Sequence, residues 1–279
     1  MKSRNILYIV ITIICVIAIV MAVYYQIFGN DENPSIGNNV GNTQVNNPDE
    51  IDLEKIKNEF NNIFTNTLNT QGNEVKDIEK RYSDKEIVYS IYTIKEEKED
   101  KYSVNLNLPL INIKTKTANE LNQITQKVFV NKANEILEDT EFYTIYNVEY
   151  AAYINENILS LVIKSTLKEG TNAQRVIVQT YNYDLETGEK ANLKDILENK
   201  QVNKDEINRK IEKQVSYAAA QAELISQATS QTVYKRDLNN AMYLIDNVNS
   251  FFIGEDGKIY IVYAYGNSNF TSEIDIIEI

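Results

Sequence analysis

The 23 residues from Ile6 to Phe28 contain no charged side chain, and only Thr12, Gln26 and three tyrosines interrupt the apolar run. At ~1.5 Å per residue a helix of that length covers the ~30 Å hydrocarbon core of a bilayer. In lipid every backbone N–H and C=O must find its partner within the segment, so the run can only be a helix. A secretory signal peptide has a shorter apolar region, about 7–15 residues, closed by a small-x-small cleavage site. Met21-Ala22-Val23-Tyr24-Tyr25 supplies no such site, and Cys15 follows Ile14 rather than a small residue, which argues against lipid attachment. The reading is an uncleaved, single-pass anchor in the cell membrane. Lys2 and Arg4 before the span and Asp31 and Glu32 after it place the N-terminus in the cytoplasm and the C-terminal domain outside.

That topology divides the chain. Residues 1–5 form a cytoplasmic stub and residues 6–28 the anchor. Residues 29–48, dense in Asn, Gly and Pro, bury too little apolar surface to offset their ordering entropy and read as a flexible tether. Residues 49–100 are expected to supply a helix and a strand, and residues 101–279 the main ectodomain. The single cysteine sits in the span, so the outer part has no disulfide and is held by its core, for which about 230 residues suffice. Beyond the span, 26 basic side chains face 40 acidic ones, a net of −14. Such a surface repels phosphate backbones, excludes nucleic acid as a partner and favours basic extracellular proteins or divalent cations.

Leu53, Ile56, Phe60, Ile63, Phe64 and Leu68 recur at helical spacing, with Asn47-Pro48 placed to cap and start the helix. Residues 86–95 and 101–113 are rich in β-branched and aromatic residues and read as strands; Pro109, which cannot donate to a ladder, puts its strand at an edge or bends it there. Thr117 and Glu120 form a capping box for a helix with apolar residues Leu121, Ile124, Val128, Ile136 and Leu137. Three strands follow, at 142–154, 158–168 and 175–185, joined by short turns that imply antiparallel pairing. Asn203 and Glu206 cap a second long helix carrying Ile207, Ile211, Val215, Ala218, Ala222 and Ile225. Asp256-Gly257 marks a hairpin between 250–253 and 258–265, and 273–279 adds a last strand. The expected fold is α+β: an antiparallel sheet with two long helices packed on one face.

The chain has no histidine, so the side chain most used for acid–base work and metal ligation near neutral pH is missing and no Ser–His or Cys–His nucleophile can form. With no cysteine outside the span there is no thiolate zinc site, and neither GxGxxG nor GxxxxGK[ST] occurs. Paired carboxylates remain. The densest local group is Asp184, Glu186, Glu189 and Asp195 in YNYDLETGEKANLKDIL. Read as a calcium loop from Asp184, it carries Glu189 at the sixth place, where the turn needs glycine, so the pattern fails. As a turn it works: Thr187-Gly188 reverses the chain and Asn192 caps a short helix. Tyr146 and Tyr150, on one face of a strand that also holds Tyr143 and Tyr153 on the other, are candidates for a sugar-stacking or protein-binding surface, with cross-strand packing in a tryptophan-free core as the alternative. The candidate binding residues are therefore Tyr146, Tyr150, Asp184 and Glu186; no catalytic residue, metal or cofactor is expected.

The strand ending Leu108-Pro109-Leu110-Ile111 before a capped helix, the run TYNYDLETGEKANLKDIL from Thr180 to Leu197, and FFIGEDGKIYIVYAYGN from Phe251 to Asn267 resemble an extracytoplasmic domain of bacterial envelope proteins. That domain is shared by RsiV-type anti-sigma factors, which sense lysozyme, and by the non-catalytic N-terminal part of the peptidoglycan deacetylase PdaC. The resemblance spans roughly Lys101 to Ile279. It implies a fold, an extracytoplasmic location and a ligand class of lysozyme-like proteins or wall glycan, and it assigns neither sigma-factor sequestration nor deacetylation. The expected function is a membrane-anchored, non-catalytic binding or sensing module of the envelope. A structural or assembly protein of the envelope is the alternative, and a carboxylate-based peptidoglycan hydrolase comes third.

Overall fold

Buried positions alternate with more exposed ones along the start of two strands of the larger of two sheets, Tyr102–Ile111 and Thr144–Asn155, whereas Leu159 to Ser165 is buried at every position, the mark of a strand covered on both faces. The computed structural model describes residues 51–70, 78–267 and 270–279, and Glu50 to Ile279 forms one unit. The apolar run Ile6 to Phe28, the tether 29–48 and the cap expected at Asn47-Pro48 lie outside the described residues. Among those residues no helix is long and apolar enough to cross a membrane.

The chain opens with helix α1 (Leu53–Asn62), capped by Asp52, whose carboxylate accepts from the Lys55 N–H at 2.9 Å. Then come β1 (Leu68–Asn69), β2 (Val88–Lys98), β3 (Tyr102–Ile111), helix α2 (Lys116–Glu138), β4 (Thr144–Asn155), β5 (Ile158–Glu169) and β6 (Arg175–Asp184). The large sheet runs β2-β3-β4-β5-β6, with β1 beside β4. Helices α3 (Leu193–Asn199) and α4 (Lys204–Thr229) follow, then a small sheet of β7 (Phe251–Ile253), β8 (Ile259–Asn267) and β9 (Phe270–Glu278). The class is α+β with antiparallel pairing dominant, as expected.

Two details differ from the expectation. The pairing of β3 with β4 is parallel, Tyr102 to Leu106 against Thr144 to Val148. A parallel pair needs a crossover, and the 23-residue helix α2 supplies it. The long helices also do not share a face. Alternate residues of the large sheet, among them Val148, Tyr150, Leu161 and Ile163, pack with Phe129, Ala133 and Ile136 of α2. The opposite face, through Ala151, Tyr153 and Val162, packs on Phe60 and Phe64 beside α1's end and on Phe252, Val262 and Ile276 of the small sheet. The far side of the small sheet, Phe251, Ile253, Ile261 and Ile277, receives Ile207, Ile211 and Val215 of α4. The layers run helix, sheet, sheet, helix. The physical reason is written in β7 to β9: Phe251-Phe252-Ile253, Ile261-Val262-Tyr263 and Ile276-Ile277 are buried at consecutive positions, the mark of strands covered on both faces.

Pro109 lies past the last β3–β4 pair, opposite Ser90, where the β2 register shifts, so its missing N–H costs no ladder bond in the middle of the sheet. Helix α2 starts earlier than the capping box implied: Thr115 caps it, accepting from the Ala118 N–H at 3.2 Å, while the Thr117 hydroxyl donates to Glu189 at 3.0 Å. Its buried side centres on Phe129 and Ala133, which leaves Ile124 49% exposed. On α4 the stripe from Ile207 to Ala222 is buried as the spacing implied, with Asn203 capping the Asp205 and Glu206 N–H groups. Ile225 lies past the covered part and is exposed.

Candidate functional site

The acidic turn after β6 is built by its own backbone. The Asp184 carboxylate accepts from the N–H groups of Glu186 at 2.8 Å and Thr187 at 3.1 Å, and the Gly188 N–H donates to the Asp184 carbonyl at 2.9 Å. Gly188 sits at φ +77°, a conformation costly for other residues, and Asp184 N–H returns to the Glu189 carbonyl. The carboxylates diverge. Glu186 accepts from the Asn157 amide at 3.2 Å, Glu189 from the Thr117 hydroxyl, and Asp195 from the Asn192 amide at 3.4 Å. That last contact replaces the cap expected of Asn192, which stands at the start of α3 without capping it. Among the described residues no group of three or more acids or cysteines is placed to hold a metal ion.

The tyrosine candidates lie in the core. Tyr146 is 3% and Tyr150 1% exposed, both packed with α2, so the two rings are almost wholly covered. The Tyr146 hydroxyl donates to the Phe129 carbonyl at 3.4 Å, and Tyr150 shares a hydrogen bond with Ser90 at 3.1 Å. Burial raises both phenols above their ordinary pKa. Tyr153, on the other face, stacks on Phe252 and is pushed up to about 12, chiefly by burial. The structure does not bring the two candidate pairs together: Tyr146 and Tyr150 register with Leu167 and Ile163 in β5, whereas Asp184 registers with Ile158 at that strand's start. Tyr146 does reach the wall of a cleft of about 350 Å³ between α2 and β6, beside Lys132 and Arg175, which both pair with Glu169.

A second cleft, of about 280 Å³, is lined by the segment following the acidic turn: Lys190, Asn192 and Lys194, with Asn182 at the back and Lys204 and Asp246 opposite. Asn182 is 2% exposed and fully occupied, accepting from the Ser160 hydroxyl at 2.6 Å and donating to the Phe251 carbonyl at 2.8 Å. Lys204 contacts Asp246 at 2.7 Å, a hydrogen bond that raises the lysine pKa and lowers that of the carboxylate. Ammonium groups and amides can hold a ligand here; the lining holds no hydroxyl paired with a base that could attack one.

The strongest electrostatic feature escaped the sequence reading. Arg236, 39 residues before Asp275, meets its carboxylate with Nε at 2.7 Å and one terminal nitrogen at 2.8 Å, and the latter also donates to Glu273 at 2.8 Å. The arginine side chain is 2% and the Asp275 side chain 4% exposed. Burial alone would lower the guanidinium pKa, but the bonds from Asp275 and Glu273 outweigh it and hold it above its usual value. Tyr265 lies under the guanidinium, stacks on Tyr234 with ring centres 4.3 Å apart, and accepts from the Tyr243 hydroxyl at 3.0 Å. No local spacing connects positions so far apart, and nothing in the sequence around Arg236 marks its partner.

No family model and no curated protein matches this chain. Among solved structures it is similar to a DUF3298 family protein from Pseudomonas aeruginosa PAO1, at 13% identity over 65% of this chain and 84% of that chain, TM-score 0.35. It is also similar to a DUF3298 family member from Bacteroides fragilis NCTC 9343, at 13% identity over 64% of this chain and 80% of that chain, TM-score 0.29.

Proposed function

We propose that this chain is a membrane-anchored extracytoplasmic binding or sensing module of the bacterial cell envelope, that it performs no chemistry, and that its ligand is a cationic extracellular protein of the lysozyme type. The observation that carries the reading is charge: beyond an uncharged 23-residue span, the chain bears a net of −14. Such a surface steers a basic partner and raises its encounter rate at low salt. The acids of the turn after β6 support the non-catalytic part, since each is spent on a backbone or side-chain donor of its own.

The test is binding of hen egg-white lysozyme to residues 50–279, followed by calorimetry across a salt series. Saturable binding that weakens as salt rises supports the proposal. Absence of binding at micromolar protein and low ionic strength removes it.

A further inference from the structure

The fold closes its strand edges with some care. The outer edge of β7 is taken by side chains of the large sheet: Phe251 N–H donates to the Thr180 hydroxyl at 3.1 Å, Ile253 N–H to the Ser160 hydroxyl at 3.0 Å, and the Asn182 amide to the Phe251 carbonyl. The outer edge of β6 is met at its C-terminal end by the Glu189 carbonyl and the Ala191 N–H, and the Ser272 N–H donates to the Gln174 carbonyl just before the strand. Strand β9 lies against α1 and α4, with Arg236 gripping its side chains. Strand β2 is different. It is 11 residues long, pairs only with β3 among the described residues, and leaves a row of backbone N–H and C=O groups facing outward. Such a row is a template for another chain.

We propose that β2 takes up an extended segment of the basic partner as an added strand. The inference rests on the reading that the ligand is a cationic protein. From Val88 to Ile94 the sequence VYSIYTI is uncharged, free of proline and made of strong strand formers, with Ile91 48% and Tyr92 39% exposed. A bulge between Ser90 and Tyr92 leaves an unbroken register from Tyr92 to Lys98, long enough for about six residues of ladder. The charges at its far end select the occupant. Glu96, Glu97, Glu99 and Asp100 stand there among Lys95, Lys98 and Lys101, of which Lys101 lies 3.8 Å from Asp139, and Glu97 and Asp100 make no ion pair among the described residues. Glu96 and Glu97 point to opposite faces of the sheet, so a strand with lysine or arginine at alternate positions meets one of them and, beyond the strand's end, the turn acids Glu99 and Asp100. A second copy of this chain would bring a like charge of −14 against them, so self-pairing is disfavoured.

The experiment uses the full chain in detergent micelles and two labelled peptides, four repeats of Lys-Val and four repeats of Glu-Val. The expected result is saturable binding of the lysine peptide by fluorescence anisotropy, with slowed amide exchange confined to β2, and no binding of the glutamate peptide. Consecutive N–H groups of a strand point to opposite edges, so Thr93→Pro and Ile94→Pro are made separately. The one whose N–H faces outward keeps the fold, by circular dichroism, and weakens peptide binding by about tenfold or more. Glu96→Lys combined with Glu97→Lys gives a loss of similar size without touching the backbone. The inference is overturned if the lysine peptide fails to bind, or binds without protecting β2, or binds a folded proline variant as tightly. It is equally overturned if sedimentation shows a dimer whose β2 is already protected. If lysozyme binds while β2 stays unprotected, the docking mode fails and the functional reading survives.

Discussion

Replacing Arg236 with methionine strips the counter-charge from a carboxylate sealed inside the protein. Asp275, whose side chain is 4% exposed, loses the two hydrogen bonds of 2.7 and 2.8 Å that the guanidinium donates to it. Breaking a buried ion pair from one side costs about 3–5 kcal/mol. Glu273 adds little, since its side chain is 24% exposed and can turn to solvent. Against a total stability of roughly 5–15 kcal/mol for a domain, the variant of residues 50–279 is expected to lose about a fifth or more of its stability. The melting temperature falls by about 6–20 °C at this size. Urea unfolding monitored by circular dichroism measures the loss at constant m-value. Arg236→Met with Asp275→Leu should recover most of it, because two apolar groups of similar shape leave no orphan charge. A single-variant cost under about 1 kcal/mol, or a double variant no better than the single, would refute the claim that the penalty is an uncompensated buried charge.

Three further outcomes follow from the same geometry. On α2, Phe129→Ala should cost about 3–5 kcal/mol and Ile124→Ala under about 0.5, in the same urea assay, because Phe129 is fully buried and Ile124 is 49% exposed. At the acidic turn, Asp184→Asn should be nearly neutral because it keeps the acceptor used by Glu186 and Thr187, whereas Asp184→Ala loses about 1 kcal/mol by thermal melting. With pH, the chain has no histidine to titrate near neutrality, so stability should be flat from about pH 6 to 9. Burial raises Tyr153 to about 12 and raises Tyr146, Tyr263 and Tyr265 as well, while the unfolded phenols ionise near 10. Their contribution is therefore complete below about pH 10 and lost as pH rises, at about 1.4 kcal/mol per pH unit for each phenol held neutral. Exposed phenols such as Tyr82, Tyr92 and Tyr143 ionise without unfolding, so the check is a further step of tyrosinate absorbance that coincides with loss of the circular dichroism signal; ionisation of every phenol before unfolding would contradict it.

Residues that act within one turn of chain were legible in advance. Asn203 reads as a helix cap, Thr187-Gly188 as a reversal and Asp256-Gly257 as a hairpin because the partners of each lie two to five positions away, and the structure places them so. The short turn at Asn155-Glu156-Asn157 likewise implied the antiparallel partnership of β4 and β5. Pattern misled where a neighbour across space decided the outcome. Ile124 has the spacing of a core residue, but α2 is rotated so that Phe129 and Ala133 meet the sheet. Tyr146 and Tyr150 look the same in sequence whether a helix covers them or solvent does, and it is α2 that buries them.

The amino-acid order alone settles the uncharged span, the acidic surplus beyond it, the absence of imidazole and of outer thiols, and the periodicities that make helices and strands, since each is a property of composition or of near neighbours. Tertiary structure alone decides that β3 and β4 run parallel, that the sheet is divided in two with a long helix on each outer face, that Arg236 and Asp275 neutralise each other in the interior, and that β2 is left with an open edge among the described residues. Periodicity tells a strand which of its faces is apolar; only the packing of distant segments determines what covers that face.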